Sequence, residues 1–205
     1  MEIKQFVLGP IATNTYLLIE GKDALLIDPA SKSEKLIEIL GDLNLIGILL
    51  THGHFDHIKA VDGLYEKYHC PVYLHEDDEE LARDKYSGAD FGLVSYISCP
   101  TEKLNQGKMN IGPFNFEVIF TPGHTEGSVI YVFEDSIFTG DTLFKGSVGR
   151  TDLKGGDMRK LKDSLRVFKQ FTSNYNIYPG HEETTNLMDE MSNNYYLMWK
   201  KCTFL

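Results

Sequence analysis

The apolar run LIGILL at residues 45–50 ends abruptly in THGHFDH, which puts His52, His54, Asp56 and His57 into one short segment. A run of that length and aliphatic character is a buried strand, and metal-competent side chains directly behind it are delivered by its C-terminal end. Side chains two apart in extended or turning backbone point the same way, so His52 and His54 can hold one cation together. Asp56 and His57 fall at the expected start of the next helix, IKAVDGLYEKYH, and swing away to where a second ion could sit. Imidazole and carboxylate together suit Zn²⁺ or a similar first-row ion with no need of thiolate. Helix capping alone would account for an aspartate here, but nothing about capping requires three histidines.

Bulk properties narrow the setting. With 205 residues, 42% of them hydrophobic, the chain can bury one full core, so residues 1–205 are expected to form a single domain. The N-terminal stretch MEIKQFVLGP lacks the basic-then-apolar pattern of a secretion signal, and no apolar run approaches the length of a membrane span. A soluble, cytoplasmic protein with no membrane association is expected. Cys70, Cys99 and Cys202 are odd in number and show no CxxC spacing, which fits a reducing compartment. A net charge of −10 argues against a nucleic-acid surface, which needs a basic stripe. It leaves an anionic small substrate open, because charge at a metal site can oppose the global sign.

Periodicity suggests a mixed α/β layered fold with much antiparallel sheet. Alternation in IKQFVLG, NTYLLIE and ALLID predicts strands, and SKSEKLIEILGDL predicts a helix leading into the strand that carries the cluster. Further strands are expected in CPVYLH, FNFEVIF, SVIYVFED, SIFTGD and NIYPG, with helices from about Asp157 to Phe171 and from about Leu187 to Lys201. Residues 82–112 show no clear periodicity. Tyr86, Phe91 and Tyr96 in that stretch could overhang a site or mediate a dimer contact, local packing being the plainer reading. His69 and His75 lack ligand-like neighbours and read as structural.

Three more strand ends carry a single metal-competent residue beside Gly or Pro: His124 in TPGHTEGS, Asp141 in FTGDTLF and His181 in YPGHEETT. With the cluster they make five histidines and two aspartates. Two four-coordinate ions need eight contacts, which seven side chains supply if one carboxylate bridges.

HxHxDH at 52–57, PGHT at 122–125, GDTLF at 140–144 and GHE at 180–182, in that order, resemble the metallo-β-lactamase-fold hydrolases, and within them the short, single-domain glyoxalase II-like (hydroxyacylglutathione hydrolase) branch. The resemblance implies a four-layer αββα sandwich. It implies a first metal on His52, His54 and His124, a second on Asp56, His57 and His181, and Asp141 between them, with Zn²⁺ favoured and Fe or Mn compatible. Asp28, in LLIDPA, matches a position that orients the ligands. The implied activity is hydrolysis of S-acyl-glutathione or a similar small anionic thioester by a metal-bridging hydroxide, with Asp56 and Asp141 as the catalytic carboxylates.

The chain is expected to differ from glyoxalase II proper in having no C-terminal helical domain. It also has Arg150 and Asp152 where those enzymes have a Lys and a Tyr. Arg150 could bind a substrate carboxylate, but an internal pair with Asp152 that braces the loop is slightly favoured. The runner-up activity is that of the persulfide dioxygenases of the same fold, with one Fe²⁺ on His52, His124 and Asp141; a lactamase ranks lower. A homodimer is compatible with the sequence.

Overall fold

The computed structural model describes residues 1–198. Twelve strands form two six-stranded sheets. The first holds, in spatial order, β1 (Glu2–Leu8), β2 (Thr13–Glu20), β3 (Asp23–Ile27), β4 (Asn44–Leu49), β5 (Val72–Leu74) and β6 (Glu102–Lys103). The second runs from β7 (Gly107–Ile111) through β8 (Phe114–Phe120), β9 (Val129–Phe133), β10 (Ser136–Gly140) and β11 (Asn176–Pro179) to β12 (Thr185–Asn186).

Period-2 alternation sorts each strand's side chains between two cores. On β2 and β3, Leu17, Ala24 and Leu26 face outward onto α1 (Ser33–Leu40) and α2 (Val61–Tyr68), where Leu36, Leu40, Val61 and Leu64 meet them. Their neighbours Tyr16, Leu18, Leu25 and Ile27 face the other way, into an inter-sheet core with Phe116, Val118, Tyr131 and Phe138. Beyond the second sheet, Ile130, Ile137 and Ile177 pack on Leu161 of a helix spanning Met158–Ser164 and on Leu187 of one spanning Leu187–Asn193. The result is the expected αββα layering. Among the described residues, no helix is long and apolar enough to cross a membrane.

Strand direction places the site. β3 and β4 are parallel, β10 and β11 are parallel, and β8 runs with β10 because each is antiparallel to β9. These strands therefore end at one edge, where Asp28, Thr51–His57, His124, Asp141 and His181 follow them. Asn14 ties the sheets there: its amide Nδ2 donates to the carbonyls of Pro179 and Glu182, while its backbone N–H donates to the carbonyl of Gly180.

Several expectations need correction. The helix after the cluster begins at Val61, so Asp56 and His57 stand in turns rather than at a helix start. The Ala60 amide donates to the carbonyl of Pro29, diverting the backbone from an earlier helical ladder. Residues 157–171 divide into the α-helix Met158–Ser164 and a 3₁₀ helix, Leu165–Gln170. The helix expected over 187–201 stops at Asn193, because Asn194 is extended and its side-chain Nδ2 donates to the carbonyls of Phe144 and Ser147. The rest of that expectation, from residue 199, lies outside the described residues. The stretch without periodicity contains β6, β7, the end of a short helix at Glu79–Arg83 and a 3₁₀ turn at Ala89–Phe91.

Candidate metal centre

The strand ends bring the dispersed residues into two adjoining groups. Nitrogens of His52, His54 and His124 lie mutually within 4.8 Å, as do ligand atoms of Asp56, His57 and His181. Asp141 spans both: its Oδ2 lies 3.3 Å from His124 Nε2 and 3.6 Å from His181 Nε2, and its Oδ1 lies 3.5 Å from His57 Nε2. Gly180 makes that approach feasible, since a side chain there would overlap Asp141 Oδ1.

The geometry fits cations. Ligand atoms ~2.0–2.1 Å from a tetrahedral ion stand about 3.3 Å from one another. Asp56 Oδ2 is 3.3 Å from His57 Nε2 and 3.2 Å from His181 Nε2, close to that spacing. His52 Nε2, His57 Nε2 and Asp141 Oδ1 are buried without a hydrogen-bond partner. An unmatched buried polar atom costs about 1–3 kcal/mol, so three facing one another call for a shared positive charge.

The reverse side of three of the rings is fixed. His57 Nδ1 bonds Asp28 Oδ2 at 2.9 Å, His124 Nδ1 bonds the Arg150 carbonyl at 2.7 Å, and His52 Nδ1 lies 3.0 Å from Thr51 Oγ1. Such contacts set the tautomer and turn Nε2 toward the centre. His54 presents Nδ1 instead, 2.8 Å from His124 Nε2. Burial, followed by repulsion from the neighbouring imidazoles, holds His52 and His54 well below their ordinary pKa. His57 goes the other way: burial pushes it down, but Asp56, Asp28 and Asp141 together raise it well above its ordinary value. Burial likewise opposes ionisation of Asp56, yet His57 and the bonds from His181, His57 and Thr13 keep its carboxyl far below the usual range.

Arg150 and Asp152 form a two-pronged pair, 2.7 Å at Nε and 2.8 Å at Nη2, at the mouth of the site. The guanidinium lines the cavity while its own carbonyl steadies His124. Phe91, Tyr86 and Tyr96 are all exposed; of the three, Phe91 packs on Phe55 with ring centroids 5.3 Å apart and lines the same cavity. His69 ends α2 in a left-handed conformation, and His75 accepts from the Asp77 amide with its ring against Phe120.

Sequence reading missed Thr13 and Asp78. The Thr13 hydroxyl donates to Asp56 Oδ2 at 2.7 Å. Asp78 stands in the acidic run EDDEE, which looks like solvated surface, yet it is 1% exposed. Its carboxylate accepts from Gly53 N, Thr125 Oγ1 and Gly127 N, at 2.7–2.8 Å, and so clamps the loop of His52 and His54 to the loop of His124. Gly127 is required there, since a Cβ would stand 2.7 Å from the Asp78 carboxyl carbon. Burial raises the Asp78 pKa against these bonds. Asp78→Ala strands three buried donors, and it is expected to cost about 2–4 kcal/mol of stability and to weaken metal binding by roughly 10–100-fold. Thermal unfolding and competition with a chelator measure the two effects, and wild-type values in both would exclude the clamp.

The comparisons agree with this geometry. Residues 8–181 match the model of the metallo-beta-lactamase superfamily. The probable metallo-hydrolase YqgX of Bacillus subtilis (strain 168) is 35% identical over 96% of this chain and 98% of its own. Among solved structures, the BLEG-1 B3 metallo-beta-lactamase superposes with a TM-score of 0.91 and 38% identity over 97% of this chain and 100% of its own. TTHA1623, in a di-iron-bound form, gives a TM-score of 0.88 and 36% identity over 95% of this chain and 100% of its own. The chain belongs to the metallo-beta-lactamase superfamily.

Proposed function

We propose that the protein is a dinuclear metal-dependent hydrolase, acting on small anionic thioesters such as S-acyl-glutathione. The observation that carries the hydrolase reading is the pair of ligand groups joined by Asp141 at the base of an open cavity of about 400 Å³. In this reading His52, His54 and His124 hold one ion, Asp56, His57 and His181 hold the other, and Asp141 serves both. Similarity to YqgX and to the di-iron form of TTHA1623 supports a metallo-hydrolase with two ions, and leaves Zn²⁺, Fe or Mn open as the metal. Bound cations would lower the pKa of a water from 15.7 to about 7 and so supply a nucleophile.

The protein's own groups do the rest. Cys70 and Cys99 are buried in the outer core of the first sheet, and burial raises both thiols, to about 11 and about 12, so neither serves as nucleophile. Asp56 stays ionised, and with Oδ2 held by Thr13, its Oδ1 has no protein hydrogen-bond partner among the described residues and can accept a hydrogen bond that orients the attacking water. Beyond the ligand groups, the ionisable side chains lining the cavity are Arg150, already paired, and the exposed Glu182. A thiolate leaves without a proton where an amide nitrogen needs one, which favours thioester over β-lactam cleavage despite the likeness to BLEG-1.

Purified protein is expected to contain two divalent ions per chain and to hydrolyse S-lactoylglutathione, with activity lost to chelator and restored by metal. One iron per chain with oxygen uptake on glutathione persulfide would replace this reading by the dioxygenase. Turnover of a β-lactam in preference to the thioester would replace it by a lactamase.

A further inference from the structure

Phe55 and Asp56 line the catalytic cavity and also a second, adjoining one of about 370 Å³. That volume lies within the range of small-molecule sites, roughly 300–1,000 Å³. Leu93 and Val94 line it along with Phe55, and Val94 is an aliphatic side chain left 62% exposed. Three exposed lysines, Lys32, Lys35 and Lys59, stand at its mouth, and the only carboxylate lining it is Asp56, already engaged in the second ligand group. Lys59 Nζ donates to the Val94 carbonyl and so pins the apolar wall. Lys32 and Lys35 have no ion-pair partner among the described residues, in a chain where 30 acidic residues oppose 20 basic ones.

We propose that this second cavity seats one arm of the substrate, an apolar chain several carbons long that ends in an anionic group. The proposal rests on the thioester reading and names the substrate class within it. A scissile carbonyl beside Asp56 would extend one arm past Arg150 and the other past Phe55, where apolar walls cover the chain and the lysines meet its end. Apolar contact supplies affinity and the charges supply selection, because the lysines are too exposed to bind an anion strongly by themselves. The charged end could belong to the acyl group or to the thiol, and the chemistry of recognition is the same.

The test uses the metal-loaded full chain and three thioesters: S-hexanoyl-N-acetylcysteamine, which is neutral, its 5-carboxypentanoyl counterpart, charged on the acyl arm, and the S-hexanoyl ester of 6-mercaptohexanoate, charged on the thiol arm. Lys32→Glu combined with Lys35→Glu is expected to raise KM at least about fivefold for one of the two charged substrates, leaving kcat, the neutral substrate and metal content unchanged. Whichever charged substrate suffers identifies the seated arm. Equal losses on both charged thioesters would mark long-range attraction and overturn the proposal, as would no change on either. A binding readout separates this proposal from the thioester reading. Adipate titrated into the wild-type protein is expected to shift the methyl resonances of Leu93 and Val94, and the double variant should abolish the shift. If no thioester is hydrolysed but these shifts occur, the thioester reading fails and the anion seat stands; if they do not occur, the seat itself is excluded.

Discussion

Asp141→Asn is expected to reduce kcat/KM on S-lactoylglutathione by on the order of a thousandfold or more, and to leave one bound ion per chain or fewer. The size follows from position. Among the described residues, Asp141 is the one side chain with oxygens near histidines of both groups, 3.3 Å from His124, 3.5 Å from His57 and 3.6 Å from His181. An amide of the same shape carries no charge and turns hydrogen-bond donors toward nitrogens that must present lone pairs. In the two-ion reading, two effects would combine: weaker binding of both ions and loss of the side chain that would hold them together. The fold should survive, because Asp141 follows β10 at the sheet edge, outside all three hydrophobic clusters. Elemental analysis, thioester kinetics and thermal unfolding on one preparation test the whole claim. Two tightly held ions with wild-type turnover in the variant would remove Asp141 from the bridging position.

Asp141 was legible in sequence because GDTLF closes an apolar strand, and the same signal exposed His124 and His181. Each is a polar residue where buried backbone runs out. Alone each would read as a turn residue, and only beside the THGHFDH cluster and the family resemblance did they become candidate ligands, which the fold brings together at one edge. THGHFDH was legible for the same reason, and alternation predicted the strands β2 and β3, but not that their two faces would feed separate cores. What stayed hidden depends on contacts far apart in the chain. Asp78 shares an acidic run with Glu76, Asp77, Glu79 and Glu80, and only tertiary packing buries it under Gly53, Thr125 and Gly127. Thr13 sits inside a strand whose alternation says nothing about a hydroxyl aimed at Asp56, 43 residues on. The misplaced helix start at Asp56 has a similar origin: local sequence permits a helix there, and the Ala60 amide is instead claimed by Pro29 of another loop. β7 went unseen because GKMNI, although it alternates, is five residues long, carries only Met109 and Ile111 as apolar side chains and lies at a sheet edge.

Asp28→Ala should be the most damaging substitution outside the ligand groups, costing about 3–5 kcal/mol of stability. Asp28 is 1% exposed and holds a left-handed backbone, φ 50°, which few non-glycine residues adopt and which alanine tolerates less well than aspartate. Its carboxylate accepts from the Thr51 amide at 2.8 Å, the Thr51 hydroxyl at 2.6 Å and His57 Nδ1 at 2.9 Å. Removing it leaves those donors buried and unmatched, and takes a negative charge from behind His57. At roughly 2–4 °C per kcal/mol for a chain of this size, the midpoint of thermal unfolding should fall by about 10 °C. Metal affinity should fall as well, by roughly 10–100-fold, because His57 loses the acceptor that keeps its proton on Nδ1 and its Nε2 toward the centre. Asp28→Asn separates the two roles. Its side-chain oxygen can still accept from Thr51 or from His57, so most of the stability should return while His57 remains less basic and the second ion stays weakly held. A variant in which stability and metal affinity recover together would mean that Asp28 only braces the turn, and that His57 is oriented by the carboxylates in front of it.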